Sequence, residues 1–158
     1  MKRGTTTGLK VAIMIIGVIV LGACIFGLPK IAKYSSEMNP EFAYLRLPVL
    51  FGLYATALPS FLALFHGMKL LNYIEKENAF SELTIISLKR IKKCALTIFC
   101  LYIIGMIFLL KQNALHPGIA VIGFVICFVT IVVSLFTAVL QNLLKSIMEI
   151  KNENDLTV

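Results

Sequence analysis

PGIAVIGFVICFVTIVVSLFTAVL, residues 117–140, runs for 24 positions without an Asp, Glu, Lys or Arg. A bilayer core about 30 Å thick needs roughly 20 helical residues to cross it. A soluble helix of this length would carry a polar face, and this stretch carries none. Working outward, three more runs share the property: Val11–Leu28 (18 residues), Leu47–Met68 (22) and Cys94–Leu110 (17). The pattern predicts an all-α membrane protein, an antiparallel four-helix transmembrane bundle that crosses the bilayer near residues 9–29, 47–68, 92–111 and 118–141. The connections are too short to bury a core of their own, so residues 1–158 form a single membrane domain.

The composition agrees. A chain that is 59% hydrophobic and only 15% charged lies outside the range of soluble domains. Its net charge of +7 is distributed by segment rather than gathered on one face, which argues against direct nucleic-acid binding. With the N-terminus inside, eleven cations fall on the cytoplasmic side: Lys2, Arg3, Lys10, Lys69, Lys76, Lys89, Arg90, Lys92, Lys93, Lys145 and Lys151. Only Lys30, Lys33, Arg46 and Lys111 fall outside. That bias places both termini, the loop 69–91 and the tail 142–158 in the cytoplasm. The chain has no Trp, so Tyr34, Tyr44 and Tyr73 serve as interfacial anchors.

Local signals refine the spans. Leu21-Gly22-Ala23-Cys24 resembles a lipoprotein cleavage site, but the apolar run continues past Cys24, so the first helix is expected to be retained. It should stop at Gly27 and Pro29 and offer Ala23 and Gly27 for close helix approach. Met38, Phe42 and Leu45 share helical spacing and suggest a short interfacial helix after Asn39-Pro40. Pro59 should kink the second span, with Ala55, Pro59 and Ala63 facing inward. His66 is expected in an interhelical hydrogen bond, and His116 in a turn. Thr130, Ser134 and Ala138 make a second small-residue seam. The four cysteines, with no CxxC pair, are expected as free thiols. Residues 152–158 are expected to be mobile.

The cytoplasmic loop is the most individual part. Ser81 is a good N-cap, with Phe80 and Ile85 spaced for a hydrophobic staple. Lys89, Arg90, Lys92 and Lys93 put four cations in five positions beside the membrane. The order Tyr73-Ile74-Glu75, Ala79-Phe80-Ser81 and Leu88-Lys89-Arg90-Ile91-Lys92, with the ending Ile150 to Val158, resembles the YoaS-like family. These are four-span bacterial membrane proteins classed as a domain of unknown function. The resemblance implies a multi-pass protein of the bacterial inner (cytoplasmic) membrane. Because a small helix-turn-helix regulator is often encoded beside family members, it also implies a cytoplasmic protein partner.

No span holds a His/Glu or His/Asp pair, a carboxylate or a convergent nucleophile, so catalytic, cofactor-binding and metal-binding residues are all expected to be none. The expectation is a non-enzymatic regulatory or interaction protein in the lipid bilayer. Its membrane-surface or partner contacts are Phe80, Ser81, Lys89, Arg90, Lys92, Lys93, Asn154 and Asp155. A small pore or carrier hinged at Pro59 is the alternative, and self-association stays open.

Overall fold

A computed structural model describes residues 3–157. Lys2 of the charge count and Val158 of the tail lie outside the described residues. Among those described there is no strand, and four helices are long and apolar enough to cross a membrane. The first is composite: α1 (Arg3–Gly22), a π-helical turn (Ala23–Gly27) and α2 (Leu28–Met38). A 3-10 helix, Pro40–Leu45, then leads into α3 (Arg46–Glu75), followed by α4 (Glu82–Lys111) and α5 (Pro117–Thr157).

Two expectations change here. The first helix does not stop at Pro29 but continues to Met38. Proline clashes with the carbonyl four residues back, here that of Ile25. The helix is wider there: Leu28 N–H bonds to the Ala23 carbonyl, five residues back, and Pro29 opens the next α-helical segment. Tyr54 donates its hydroxyl to the Cys24 carbonyl at 2.7 Å and pins the widened turn to α3. The tail, expected to be mobile, is helical to Thr157. No Gly or Pro follows Gly123, so nothing in the sequence ends the helix earlier. A short helix is present after Asn39, as expected, in the form of the 3-10 segment.

Packing is inverted relative to a water-soluble protein. Eight of the buried side chains are polar (Thr6, Thr56, His66, Thr84, Ser87, Thr130, Ser134 and Thr137), against Leu45, Pro59, Leu71, Leu88, Ala95 and Cys127 on the apolar side. Large apolar residues cover the outside along all four helices. An apolar surface this extensive needs a non-aqueous solvent. Small residues inside and large ones outside is the arrangement of helices packed within lipid. Thr130 and Thr137 satisfy their hydroxyls on their own helix: Thr130 donates to Ile126 and Cys127, Thr137 to Val133 and Ser134.

The α5 seam starts earlier than the sequence suggested and ends on Thr137 rather than on Ala138. Gly123, Cys127, Thr130, Ser134 and Thr137 are buried at alternating spacings of four and three, and they pack on α4. In turn α4 packs on α3, and α3 on α1. Close contact between α1 and α3 comes from glycines other than the expected ones. A Cβ at Gly67 would lie 3.4 Å from Ile13 Cδ1, and one at Gly17 would lie 3.9 Å from Leu64 Cδ1. Ala23 and Gly27 lie in the π turn instead, where Gly27 has only Ala23 beside it.

Two turns share one geometry. Asn78 N–H bonds to Tyr73 O and Glu77 N–H to Ile74 O, with Glu77 at φ 58°. Ala114 N–H bonds to Leu109 O and Asn113 N–H to Leu110 O, with Asn113 at φ 55°. A left-handed residue closes each helix, the role glycine fills best and Asn tolerates. Glu77→Gly is therefore expected to stabilise the protein by about 1 kcal/mol, since a Cβ in this region costs about that much. Asn113→Gly should change it far less. Thermal unfolding in detergent, followed by circular dichroism, checks both; equal effects would contradict the strain at Glu77.

Candidate functional site

The α3–α4 turn is built by two side chains on one backbone carbonyl, that of Asn78. Ser81 caps α4, its Oγ accepting from Thr84 N–H at 3.4 Å while donating to Asn78 O at 2.9 Å. Thr84 Oγ1 donates to the same Asn78 carbonyl at 3.2 Å. Ser81 thus fixes the turn rather than facing outward. Phe80 beside it is 55% exposed. From this rigid start α4 presents Lys89, Arg90 and Lys93 exposed and Lys92 half-buried. Among the described residues, the ion pair is Lys10–Glu75, so these four cations have no carboxylate partner. Lys69 holds its ammonium 4.9 Å from the Phe65 ring centre.

Asn154 and Asp155 lie exposed on the last turns of α5. The structure does not join them to the α4 cations by any salt bridge or hydrogen bond among the described residues. On the α5 extension, Leu143, Ile147 and Ile150 are exposed at helical spacing, forming an apolar strip beyond the uncharged run. The strip and the basic start of α4 are the features left without a partner outside the spans.

Pro59 is buried within α3, and the two neighbouring hydroxyls bond back along the helix, Thr56 to Leu53 O and Ser60 to Thr56 O. The expected inward face is only partly inward. Pro59 is buried and Ala63 lines a central cavity, but Ala55 is exposed in an outer groove of about 450 Å³ beside Cys24, Tyr54 and Phe61. The central cavity, about 320 Å³, takes lining residues from all four spans, Ile16, Ser60, Ala95 and Thr130 among them.

His66 departs from expectation. It is only 6% exposed, yet its Nδ1 has no hydrogen-bond partner among the described residues. Phe65 meets it edge-on, with ring centres 5.6 Å apart. His116 sits in the turn as expected and accepts the Gly118 N–H at 3.2 Å. The four cysteines are free. Sequence patterns gave no sign of the π turn, the unpartnered His66 or the cavity. The one available signal was Gly27-Leu28-Pro29 inside an unbroken apolar run.

Residues 30–158 match the family model described as "Protein of unknown function (DUF2975)". The chain belongs to this family. It is 48% identical over 160 aligned positions to the "Uncharacterized membrane protein YoaS" of Bacillus subtilis (strain 168), with both chains covered completely. No solved structure matches. The family resemblance read from the loop and tail is thereby established, and with it a membrane protein of unknown function with four spanning-length helices.

Proposed function

We propose that this is a non-enzymatic protein of the bacterial inner membrane that holds a cytoplasmic protein partner on the end of the bundle carrying the α3–α4 turn and the α5 extension. The observation that carries this reading is the apolar strip Leu143, Ile147 and Ile150 on a helix that outlasts its span. At about 1.5 Å per residue, the 41 residues of α5 reach some 60 Å, twice the hydrocarbon thickness. An exposed apolar helix face at i, i+4 and i+7 suits the groove of a partner. The unpaired cations of α4 supply orientation and rate of encounter. A small helix-turn-helix regulator is the partner the family resemblance implies.

The proposed layout is antiparallel with both termini in the cytoplasm. It is supported by the reversed order of contacts along the first and second spans, where Lys10 meets Glu75 and Tyr54 meets Cys24. A pore finds less support. The cavity wall is apolar apart from Ser60 and Thr130, and both hydroxyls donate to their own helix, leaving little to replace an ion's hydration.

Co-purification after mild detergent extraction tests the partner. Deleting residues 152–158 and replacing Lys89, Arg90, Lys92 and Lys93 by Gln should strip the retained protein, with about tenfold loss of recovery or more. Unchanged recovery would overturn this docking surface.

A further inference from the structure

We propose that the bundle holds one anionic phospholipid of its own bilayer, an acyl chain in the cavity between the four spans and the phosphate at His66, Lys69 and Arg90. This goes beyond partner docking and shares Arg90 alone with the docking surface.

The space between the four spans opens to the outside of the bundle, and its volume of about 320 Å³ is that of a small ligand pocket. Its wall is hydrocarbon-like. Ile16, Ala63, Ala95 and Val133 face it from four different helices. Ser60 and Thr130, the polar members, donate their protons to Thr56 O at 2.9 Å and to Ile126 O at 3.0 Å. Nothing in the wall calls for water, so an apolar guest fits. The guest has a way in: α1 packs on α3 and α5 on α4, while α1 and α5 do not pack on each other to any comparable extent. A chain can therefore slide in from the bilayer without leaving hydrocarbon.

One end of the cavity is different. His66 stands three residues beyond Ala63, on the same face of α3. It is buried, and its Nδ1 lacks a partner. Buried polar atoms without partners are rare, and each asks for a hydrogen-bonding group that the protein itself does not provide. Lys69 follows on the next turn of α3, and Arg90 precedes Ile91, which lines the cavity from α4. Both cations lie within electrostatic reach of His66, and no carboxylate among the described residues pairs with either. The two cations balance the charge of a phosphate beside His66, and a turn of the His66 ring toward the mouth lets Nδ1, closed off as it stands, donate to a phosphate oxygen. An apolar slot under a cationic, hydrogen-bonding mouth matches one acyl chain beneath a phosphate. A fatty acid shares that chemistry, but an opening toward the bilayer favours its phospholipids.

Native mass spectrometry of the full chain in mild detergent tests this, with phosphatidylglycerol, phosphatidylcholine of the same chains, and oleate as probes. One phosphatidylglycerol should stay bound at energies that strip phosphatidylcholine, with a preference of about tenfold or more from two cations on an anionic headgroup. Ala63→Phe and Val133→Phe, filling the cavity from separate walls, should each abolish retention. Lys69→Gln with Arg90→Gln should lower phosphatidylglycerol to the level of phosphatidylcholine. Equal retention of the two lipids by the native chain would overturn the headgroup site. Undiminished retention in either Phe variant with native helical circular dichroism would overturn the cavity site. Retention of oleate but not phosphatidylglycerol would overturn the phospholipid assignment. A phosphatidylglycerol with a photoactivatable mid-chain group needs no variant. Adducts on Ser60 to Leu64 or on Ala95 are expected; adducts confined to Phe124 and Phe128 would contradict the cavity site.

Discussion

Phe128→Arg is expected to leave little assembled protein in the membrane. Phe128 is 70% exposed and stands at the middle of the uncharged run of α5. In water, an exposed Phe replaced by Arg changes stability by about 0.5 kcal/mol or less. In hydrocarbon, the same charge at a helix centre costs about 2.5–3.5 kcal/mol by insertion scales. Ile150, similarly exposed at 58%, lies on the extension beyond the span, and Ile150→Arg should leave assembly unchanged. The measurement is the yield of folded, membrane-integrated chain for the two variants side by side. Equal tolerance at both positions would mean that the apolar surface does not face lipid.

Gly123→Leu has the other large effect. A Cβ at Gly123 would overlap the Met106 sulfur, with the same side chain's Cγ 3.2 Å away, in the contact between α4 and α5. Methionine is unbranched and adaptable, so Gly123→Ala should cost about 1 kcal/mol as Met106 swings aside. Leucine adds a branched group that cannot be accommodated this way, and its cost should reach about 3 kcal/mol. Thermal unfolding in detergent reads the difference. Met106→Ala should recover part of the loss in Gly123→Leu, because the two positions share one contact. No change in Gly123→Leu would mean that α4 and α5 are not held together at this glycine.

The spans were legible because a charge inside hydrocarbon is so costly that its absence over 17 to 24 residues leaves few alternatives. Caps were legible for a similarly local reason: Ser81 and His116 act on backbone groups within three residues of themselves. The α5 seam was half visible. Thr130 and Ser134 stood out as polar residues in an apolar run, whereas Gly123 and Cys127 are ordinary in composition and become part of the seam only once α4 is in place.

What stayed hidden depends on residues far apart in the chain. The π turn at Ala23–Gly27 rests on Pro29 downstream and on Tyr54, thirty residues away. The rotation of α3 decides that Ala55 faces out while Pro59 faces in, and that His66 meets no partner. The cavity is a sum over four helices, so no segment could announce it. For the candidate contact surface, the sequence marked the right end of the bundle but merged two roles. Ser81 is structural, whereas Phe80 and the cations remain available.

Partner docking requires the α3–α4 turn and the α5 extension to share the cytoplasm, and topology reporters after Ser36, Asn78, Asn113 and Val158 measure this directly. The expected readout is outside, inside, outside, inside. A reporter active on the exported side at Val158 would put the α5 extension on the wrong side of the membrane and contradict the layout on which the proposed function stands.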